Sequence, residues 1–281
     1  MKRYLTYLIM ICFAGLTFAQ PEVNKVWELQ KGLQTTESVN YDAERKVLYI
    51  SNIHGQPLAK DGNGFISQVS PEGKMLNLRW VTGLDAPKGA AIHDGKLFVT
   101  DIDRLVEIDI DAGEIANIYT DDKAIFLNDV AVGPDGAVYV TDYSPDNSAI
   151  YRLSNGQLTV WLGADQVDRP NGLYATDEFL FVGNTGAGTL IKVRFSDKDI
   201  TQVAEAGMGI DGLRPTGDGG FIVSNWAGKT AWISPDGDVQ VLLNTTEQEI
   251  NSADLEYIPE KQLLIIPTFF DNAVHAYKIK K

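Results

Sequence analysis

Four oxygen-bearing side chains stand at matching points of a repeated sequence pattern, each just before a short alternating apolar run. They are Glu37, Asn128, Asn171 and Asp211. Two carboxylates and two amide carbonyls are hard oxygen ligands, and their combined negative charge would balance a divalent cation. Oxygen-only ligation without histidine or cysteine favours Ca²⁺, with Mg²⁺ or Mn²⁺ next and Zn²⁺ well behind. The sequence therefore predicts a site for one divalent cation.

The pattern that carries these residues occurs six times. The copies are residues 36–52, 87–101, 127–142, 170–184, 210–225 and 252–268. Each copy is a short strand, a turn and a stronger strand that ends on a small polar residue. Their period of about 42 residues is that of a propeller blade, and further alternating segments joined by Asp/Asn-Gly turns follow the copies. We predict an all-β fold, a six-bladed β-propeller of four-stranded antiparallel blades.

The last copy lacks a fourth strand, because the sequence ends shortly after the strand-like segment 272–279. Residues 24–30 form another strand-like segment, without a hairpin partner. This N-terminal strand is predicted to complete the sixth blade and close the ring, which protects the strand edges at the seam. Residues 20–281 are expected to form one propeller domain.

The first strand of each propeller blade lines the central channel, so the residue at its start projects toward the axis at one mouth. We name the six matched positions the ring residues: Glu37, Lys88, Asn128, Asn171, Asp211 and Ala253. The predicted substrate pocket comprises Phe126, Lys88, Asn128, Asp129 and Asp254. Lys88 would either contribute a positive charge to the pocket or pair with Glu37 or Asp129. In the alternative interpretation, the Asn and Asp residues only cap turns.

A second polar series ends the second strands of the six copies. We name these residues the second-strand anchors: Asn52, Asp101, Asp142, Asn184, Asn225 and Thr268. Short polar side chains at strand ends often hydrogen-bond nearby backbone groups. We therefore predict that they hold neighbouring loops together, and some of them could also support the pocket residues from behind.

The first 19 residues carry Lys2 and Arg3 followed by an apolar run, which is typical of a secretory signal peptide. Export to the periplasm or outside the cell is therefore predicted, without stable membrane insertion. The only cysteine, Cys12, lies in this segment, so the mature chain would have no disulfide, thiolate nucleophile or cysteine-bound metal. The monomer is the default expectation.

Composition and motifs argue against several classes of partner. The formal net charge of −14 and the lack of a basic cluster argue against nucleic acid. The segment "GNTGAGT" (183–189) lacks the lysine of a phosphate-binding loop, which argues against a nucleotide. The sequence contains no G-x-S-x-G motif, which argues against a serine hydrolase. A small molecule is the expected partner.

Four motifs resemble the SMP-30/gluconolactonase/LRE-like (regucalcin-type) family, and the resemblance extends over residues 24–281. They are "ESVNYDAERKVLYISN" (37–52), "LNDVAVGPDGAVYVTD" (127–142), "RPNGL" (169–173) and "GIDGL" (209–213). The resemblance implies a divalent cation, commonly calcium, held by Glu37, Asn171 and Asp211. It implies that Asn128 lines the pocket or completes the metal site, and that Asp211 is the general base.

The resemblance also implies hydrolysis of a lactone or related ester, with the cation polarising the carbonyl group. Because a carboxylate beside a cation has a lowered pKa, Asp211 is expected to act mainly by positioning the attacking water. Sugar-lactonase members have an arginine two residues before the pocket asparagine, where this sequence has Phe126. This departure weakens the expectation of a sugar-acid substrate.

The alternative from another class is a non-catalytic propeller that contains a metal and binds a small ligand or a protein partner. A concave pocket of several hundred Å³ over the four oxygen ligands would separate the two possibilities. A plugged mouth would favour a purely structural cation.

Overall fold

Alternating apolar runs closed by tight turns become antiparallel hairpins throughout the computed structural model, which describes residues 21–280. The hairpins assemble into six sheets of four strands arranged in a ring. The prediction of an all-β, six-bladed propeller is confirmed.

The strands are numbered in chain order, and β1 (Glu22–Leu29) precedes the first complete blade. Blade one contains β2 (Thr36–Asp42), β3 (Val47–Asn52), β4 (Gly64–Val69) and β5 (Met75–Leu84). Blade two contains β6 (Pro87–His93), β7 (Lys96–Asp101), β8 (Arg104–Asp109) and β9 (Glu114–Thr120). Blade three contains β10 (Leu127–Val132), β11 (Val138–Asp142), β12 (Ala149–Ser154) and β13 (Gln157–Leu162).

Blade four contains β14 (Pro170–Ala175), β15 (Phe179–Asn184), β16 (Thr189–Arg194) and β17 (Ile200–Glu205). Blade five contains β18 (Leu213–Pro215), β19 (Phe221–Asn225), β20 (Lys229–Ile233) and β21 (Val239–Asn244). Blade six contains β22 (Glu256–Ile258), β23 (Leu263–Pro267), β24 (Val274–Lys280) and, as its outer strand, β1. Two short 3₁₀ helices span Thr246–Gln248 and Pro259–Lys261.

The ring closes through β1, which pairs antiparallel with β24 from Glu22 opposite Lys280 to Leu29 opposite Val274. The prediction that the N-terminal segment completes blade six is confirmed, and the strand begins two residues earlier than the predicted segment. The indole Nε1 of Trp27 also donates a hydrogen bond to the carbonyl oxygen of Pro71, at 3.0 Å, and so holds β1 to blade one.

The apolar core lies between the facing sheets of neighbouring blades. At the seam, Val39 and Leu48 of blade one pack with Leu263 and Ala276 of blade six. Comparable clusters occupy the other interfaces between blades. The inner strands are therefore almost completely buried, whereas outer strands such as β9 contain only exposed and half-buried residues.

Deleting residues 21–29 is expected to destabilise the ring, because it exposes the edge of β24 and removes Trp27 and Leu29 from the seam cluster. Losing these side chains should cost about 3–5 kcal/mol of unfolding free energy. Calorimetry should then record a melting temperature lower by roughly 10 °C, and the open edge should promote aggregation. Deleting only residues 21–23 is the control, and an equal effect from both deletions would contradict the closure argument.

The predicted signal peptide, residues 1–19, lies outside the described residues. Within residues 21–280, no helix has the length and apolar character that a membrane crossing requires.

Candidate functional site

The pairing between the first and second strands is irregular at one point in each of blades one to four. In blade one, Thr36 pairs with Asn52 and Val39 with Ile50, so Glu37 and its successor stand opposite a single residue. The same irregularity surrounds residues 88–89, 128–129 and 171–172. A β-bulge of this kind re-aims a side chain. It explains why polar side chains stand where a buried strand begins.

Hydroxyl groups from the second strands accept hydrogen bonds from the backbone just after the ring residues. The Oγ1 of Thr141 accepts a hydrogen bond from the backbone N–H of Asp129 at 2.8 Å, and the Oγ of Ser224 accepts one from Gly212 at 2.7 Å. Sequence reasoning missed this role. The available signal was the serine or threonine that directly precedes an anchor in four copies: Ser51, Thr100, Thr141 and Ser224.

The second-strand anchors hold the backbone just upstream of the ring residues. The carboxylate of Asp101 accepts hydrogen bonds from Asp85 and Ala86, at 3.0 and 2.6 Å. The anchors of blades one, three, four and five bond the corresponding segments of their own blades, and Thr268 bonds Ala273 in the loop that follows it. The predicted structural role of these side chains is confirmed.

Five of the six ring residues meet at a cavity of about 390 Å³, which we name the mouth cavity, whereas Ala253 is buried in an apolar cluster. Glu37, Lys88, Asn128, Asn171 and Asp211 line it, as does Phe126. The remaining pocket candidates, Asp129 and Asp254, do not line the cavity: they are 0% and 1% exposed. Asp129 instead accepts hydrogen bonds from the backbone N–H groups of residues 130 and 173.

Three buried oxygens of the predicted ligand set have no hydrogen-bond partner among the described residues: Glu37 Oε2, Asn128 Oδ1 and Asn171 Oδ1. The Nδ2 of Asn171 donates to Asp211 Oδ1 at 2.8 Å, which leaves the Asn171 carbonyl oxygen free. Leaving such oxygens unsatisfied in a buried site is costly. A hard cation accepts this kind of donor set, so the residues fit a divalent ion.

The charges of the site support the same conclusion. Burial, and next the negative charge of Asp129, raise the pKa of Asp211 to about 7, while the hydrogen bond from Asn171 opposes the rise. Burial, followed by the charges of Asp211 and Asp254, raises the pKa of Glu37 well above its usual range. A cation beside these carboxylates would counter the raised pKa values.

The ligand set depends on its two amides. Across residues 21–280, no three His, Cys, Asp or Glu side chains come together in a group that could hold a metal ion. Glu37 and Asp211 therefore need the carbonyl oxygens of Asn128 and Asn171 to complete a cation site.

The model of the family described as "SMP-30/Gluconolactonase/LRE-like region" matches residues 35–252. The chain belongs to this family. No curated protein gives a significant match to this member of the SMP-30/gluconolactonase/LRE-like family.

Several solved structures resemble this SMP-30/gluconolactonase-type propeller. A gluconolactonase from Xanthomonas campestris is 17% identical with a TM-score of 0.66, over 92% of this chain and 90% of that one. A luciferin-regenerating enzyme is 14% identical with a TM-score of 0.65, over 93% and 95%. A virginiamycin B lyase from Staphylococcus aureus is 14% identical with a TM-score of 0.58, over 92% and 99%. At these identities the likeness shows the fold alone.

Lys88 lies in the wall of the mouth cavity of this SMP-30/gluconolactonase-type propeller. Its Nζ donates hydrogen bonds to the carbonyl oxygens of Pro57 and Ala86, both at 2.9 Å, and lies 5.1 Å from the centre of the Phe126 ring. Burial lowers its pKa to about 8, although the charge of Glu37 opposes the shift. Lys88 thus fastens the loop containing Pro57 over the cavity.

A buried charged cluster occupies the channel beneath the mouth cavity, and sequence reasoning missed its centre, Arg214. Its guanidinium lies 3.5 Å from Asp254 Oδ2 and 3.6 Å from Glu256 Oε1. It also donates to the carbonyl oxygen of Leu213 at 2.8 Å. Burial raises the pKa of Asp254 well above its usual range, while Arg214 opposes the rise.

Proposed function

We propose that this chain hydrolyses a lactone or related ester with the help of one divalent cation, most favourably Ca²⁺. One observation carries the proposal: three unpartnered buried oxygens and the Asp211 carboxylate converge on one open cavity of about 390 Å³. A purely structural cation would need no open space above it, whereas a small-molecule substrate does. The open cavity argues against a purely structural cation, and membership of the SMP-30/gluconolactonase/LRE-like family favours hydrolysis over non-catalytic ligand binding.

Glu37, Asn128, Asn171 and Asp211 would hold the cation. When bound, it supplies Lewis-acid polarisation of the substrate carbonyl and charge stabilisation of the developing oxyanion. The positioning of the water and the transfer of its proton are assigned to side chains of the mouth cavity.

Asp211 is the residue that handles the attacking water. Its Oδ1 accepts the hydrogen bond from Asn171, which leaves Oδ2 to orient the water and take its proton. The water oxygen then bonds to the carbonyl carbon, the bond to the ring or ester oxygen breaks, and the proton passes to that departing oxygen. The products are a carboxylic acid and an alcohol, joined in one molecule when the substrate is a lactone. The fixed hydrogen bond from Asn171 keeps the carboxylate in one orientation, which favours catalysis.

Stripping the purified protein with chelator and adding Ca²⁺ tests the proposal. If the ion binds the folded protein only, a Ca²⁺ concentration of about 100 Kd adds about 2.7 kcal/mol of unfolding free energy. We expect the melting temperature to rise by roughly 5–10 °C, and hydrolysis of phenyl acetate or γ-butyrolactone to return.

Glu37→Gln should abolish both responses, because it removes a charged ligand at the cavity. Glu114→Gln, at an exposed position on β9, is the matched control and should keep both. If Ca²⁺, Mg²⁺ and Mn²⁺ all leave the melting temperature and the hydrolysis rate unchanged, the metal-dependent function is wrong.

A further inference from the structure

Aromatic side chains dominate the rim of the mouth cavity. The rim residues are Phe126 and Tyr143 of blade three, Trp226 of blade five, and Phe269 and Phe270 of blade six. Blade three lies across the six-membered ring from blade six. The cavity is therefore bounded on opposite sides by an aromatic pair, Phe126 and Tyr143, and by an aromatic triad, Trp226, Phe269 and Phe270.

The three rings of the triad pack closely against one another, although two of them are exposed to solvent. The rings of Phe269 and Phe270 meet edge to face with centroids 4.7 Å apart, and Trp226 packs against Phe269 at 5.5 Å. Trp226 is 44% exposed and Phe270 is 52% exposed. Clustered large apolar side chains in contact with water mark a surface that a ligand or partner covers.

One residue of the triad, Phe269, is held in an unfavourable backbone conformation. Phe269 has a φ of 50°, a region that bulky residues rarely adopt. Its N–H donates to the carbonyl oxygen of Thr36 at 3.0 Å, and Asn251 Nδ2 donates to the carbonyl oxygen of Trp226 at 2.9 Å. Strain that the surroundings maintain in this way is typical of functional positions.

Polar groups that could bind a hydroxylated substrate are scarce at the rim. Apart from the Tyr143 hydroxyl and the Trp226 indole N–H, which belong to the aromatic residues, the neutral polar side chains lining the cavity above the ring residues are Gln56, Thr185 and Asn225. Thr185 Oγ1 already donates to the carbonyl oxygen of Ile210 at 2.9 Å, and Asn225 Nδ2 to that of Gly209 at 2.7 Å. The Nζ of Lys88 is likewise engaged by two carbonyl oxygens. A polyhydroxylated substrate would leave hydroxyl groups unpaired here, which is costly.

We infer that the substrate is a lactone or ester carrying an apolar alkyl or aryl group, which lies between the aromatic pair and the aromatic triad while the carbonyl group reaches Asp211. This inference rests on the proposed function and adds the substrate class. A polyhydroxylated sugar lactone is the disfavoured substrate.

A series of γ-lactones with side chains from methyl to heptyl, together with glucono-δ-lactone, tests the substrate class in the presence of Ca²⁺. We expect kcat/KM to rise roughly two- to fourfold for each added CH₂ until the side chain spans the rim. Glucono-δ-lactone should be a poorer substrate than the heptyl compound by about 100-fold or more. A flat series, or preferred hydrolysis of glucono-δ-lactone, would overturn the inference.

Trp226→Ala should reduce kcat/KM for the heptyl lactone about tenfold more than for the methyl lactone, since the long side chain loses its aromatic contact. Val241→Ala removes an exposed apolar side chain from β21 of the same blade and should leave the whole series unchanged. An equal loss for both lactones in Trp226→Ala would contradict an aromatic subsite.

Failure of the proposed hydrolysis can be separated from failure of this inference. The matching alkyl γ-lactams resist hydrolysis, and calorimetry can measure their binding to the protein. Affinity that rises with chain length and falls in Trp226→Ala would support the apolar site even if no lactone is turned over. If neither lactone hydrolysis nor lactam binding depends on chain length, the inference is wrong.

Discussion

Asp211→Asn is expected to lower kcat for lactone hydrolysis by about 10²- to 10⁴-fold, the usual contribution of a positioned acid–base group. Asparagine has the same shape and can still accept the hydrogen bond from Asn171. It cannot take a proton from water, and it removes one negative charge from the predicted cation site. Initial rates at saturating Ca²⁺ measure the effect, and a loss of less than about tenfold would remove Asp211 from the reaction.

Stability separates this chemical effect from unfolding. The pKa of Asp211 in the folded protein, about 7, lies above its ordinary value of 3.8. Ionisation of Asp211 therefore lowers the free energy of unfolding. This loss of stability grows as the pH rises from the ordinary pKa through the pKa of the folded protein. In chelator at pH 8, Asp211→Asn should melt at or above the wild-type temperature, while the exposed control Asp165→Asn should change neither stability nor rate.

Arg214→Met is expected to lower the unfolding free energy by about 3–5 kcal/mol, the usual cost of removing one partner from a buried ion pair. The substitution leaves Asp254 and Glu256 buried without their cation. Methionine retains part of the volume, so the loss is mainly electrostatic. Urea unfolding followed by tryptophan fluorescence measures the change.

Arg152→Met provides the matched control on blade three. Its guanidinium lies 2.6 Å from Asp135, but the two side chains are 31% and 54% exposed. An exposed pair contributes about 0.2–1 kcal/mol, so Arg152→Met should have a small effect despite the shorter distance. Combining Arg214→Met with Asp254→Asn should cost less than the sum of the two single changes. Similar losses in Arg214→Met and Arg152→Met would show that burial does not set the strength of the channel cluster.

The blade count and the closure of the ring could be predicted because each blade repeats the same strand and turn pattern. The ring residues of the mouth cavity could be predicted for the same reason, because the repeat brings the same position of successive copies to one mouth of the central channel. Glu37, Asn128, Asn171 and Asp211 meet there as the repeat requires. Strand alternation alone, however, carries no sign of the bulge at this position.

That bulge accounts for Asp129, which was expected in the pocket and lies below it. Asp254, also expected in the pocket, is buried beside Arg214 instead. The residue after each ring residue turns toward the neighbouring blade, where space is very limited: a Cβ on Gly172 would lie 2.4 Å from the carbonyl oxygen of Asp211. The aromatic triad could not be predicted from periodicity either. Trp226, Phe269 and Phe270 follow the second strands of two blades, and the packing of the neighbouring blades five and six brings them together.

The anchors and the ring residues are different side chains, so holding the backbone and binding a ligand are separate tasks within a blade. An anchor such as Asp101 holds the backbone in place, and the ring residue two or three positions after the anchored segment carries the chemistry. The ring position can therefore differ in chemical character from blade to blade while the anchors hold the backbone, as Glu37, Asn171 and Asp211 illustrate. In evolutionary terms, the propeller is modular: where a ring residue faces the mouth cavity and leaves the backbone to its anchor, its side chain is open to exchange without rebuilding the fold.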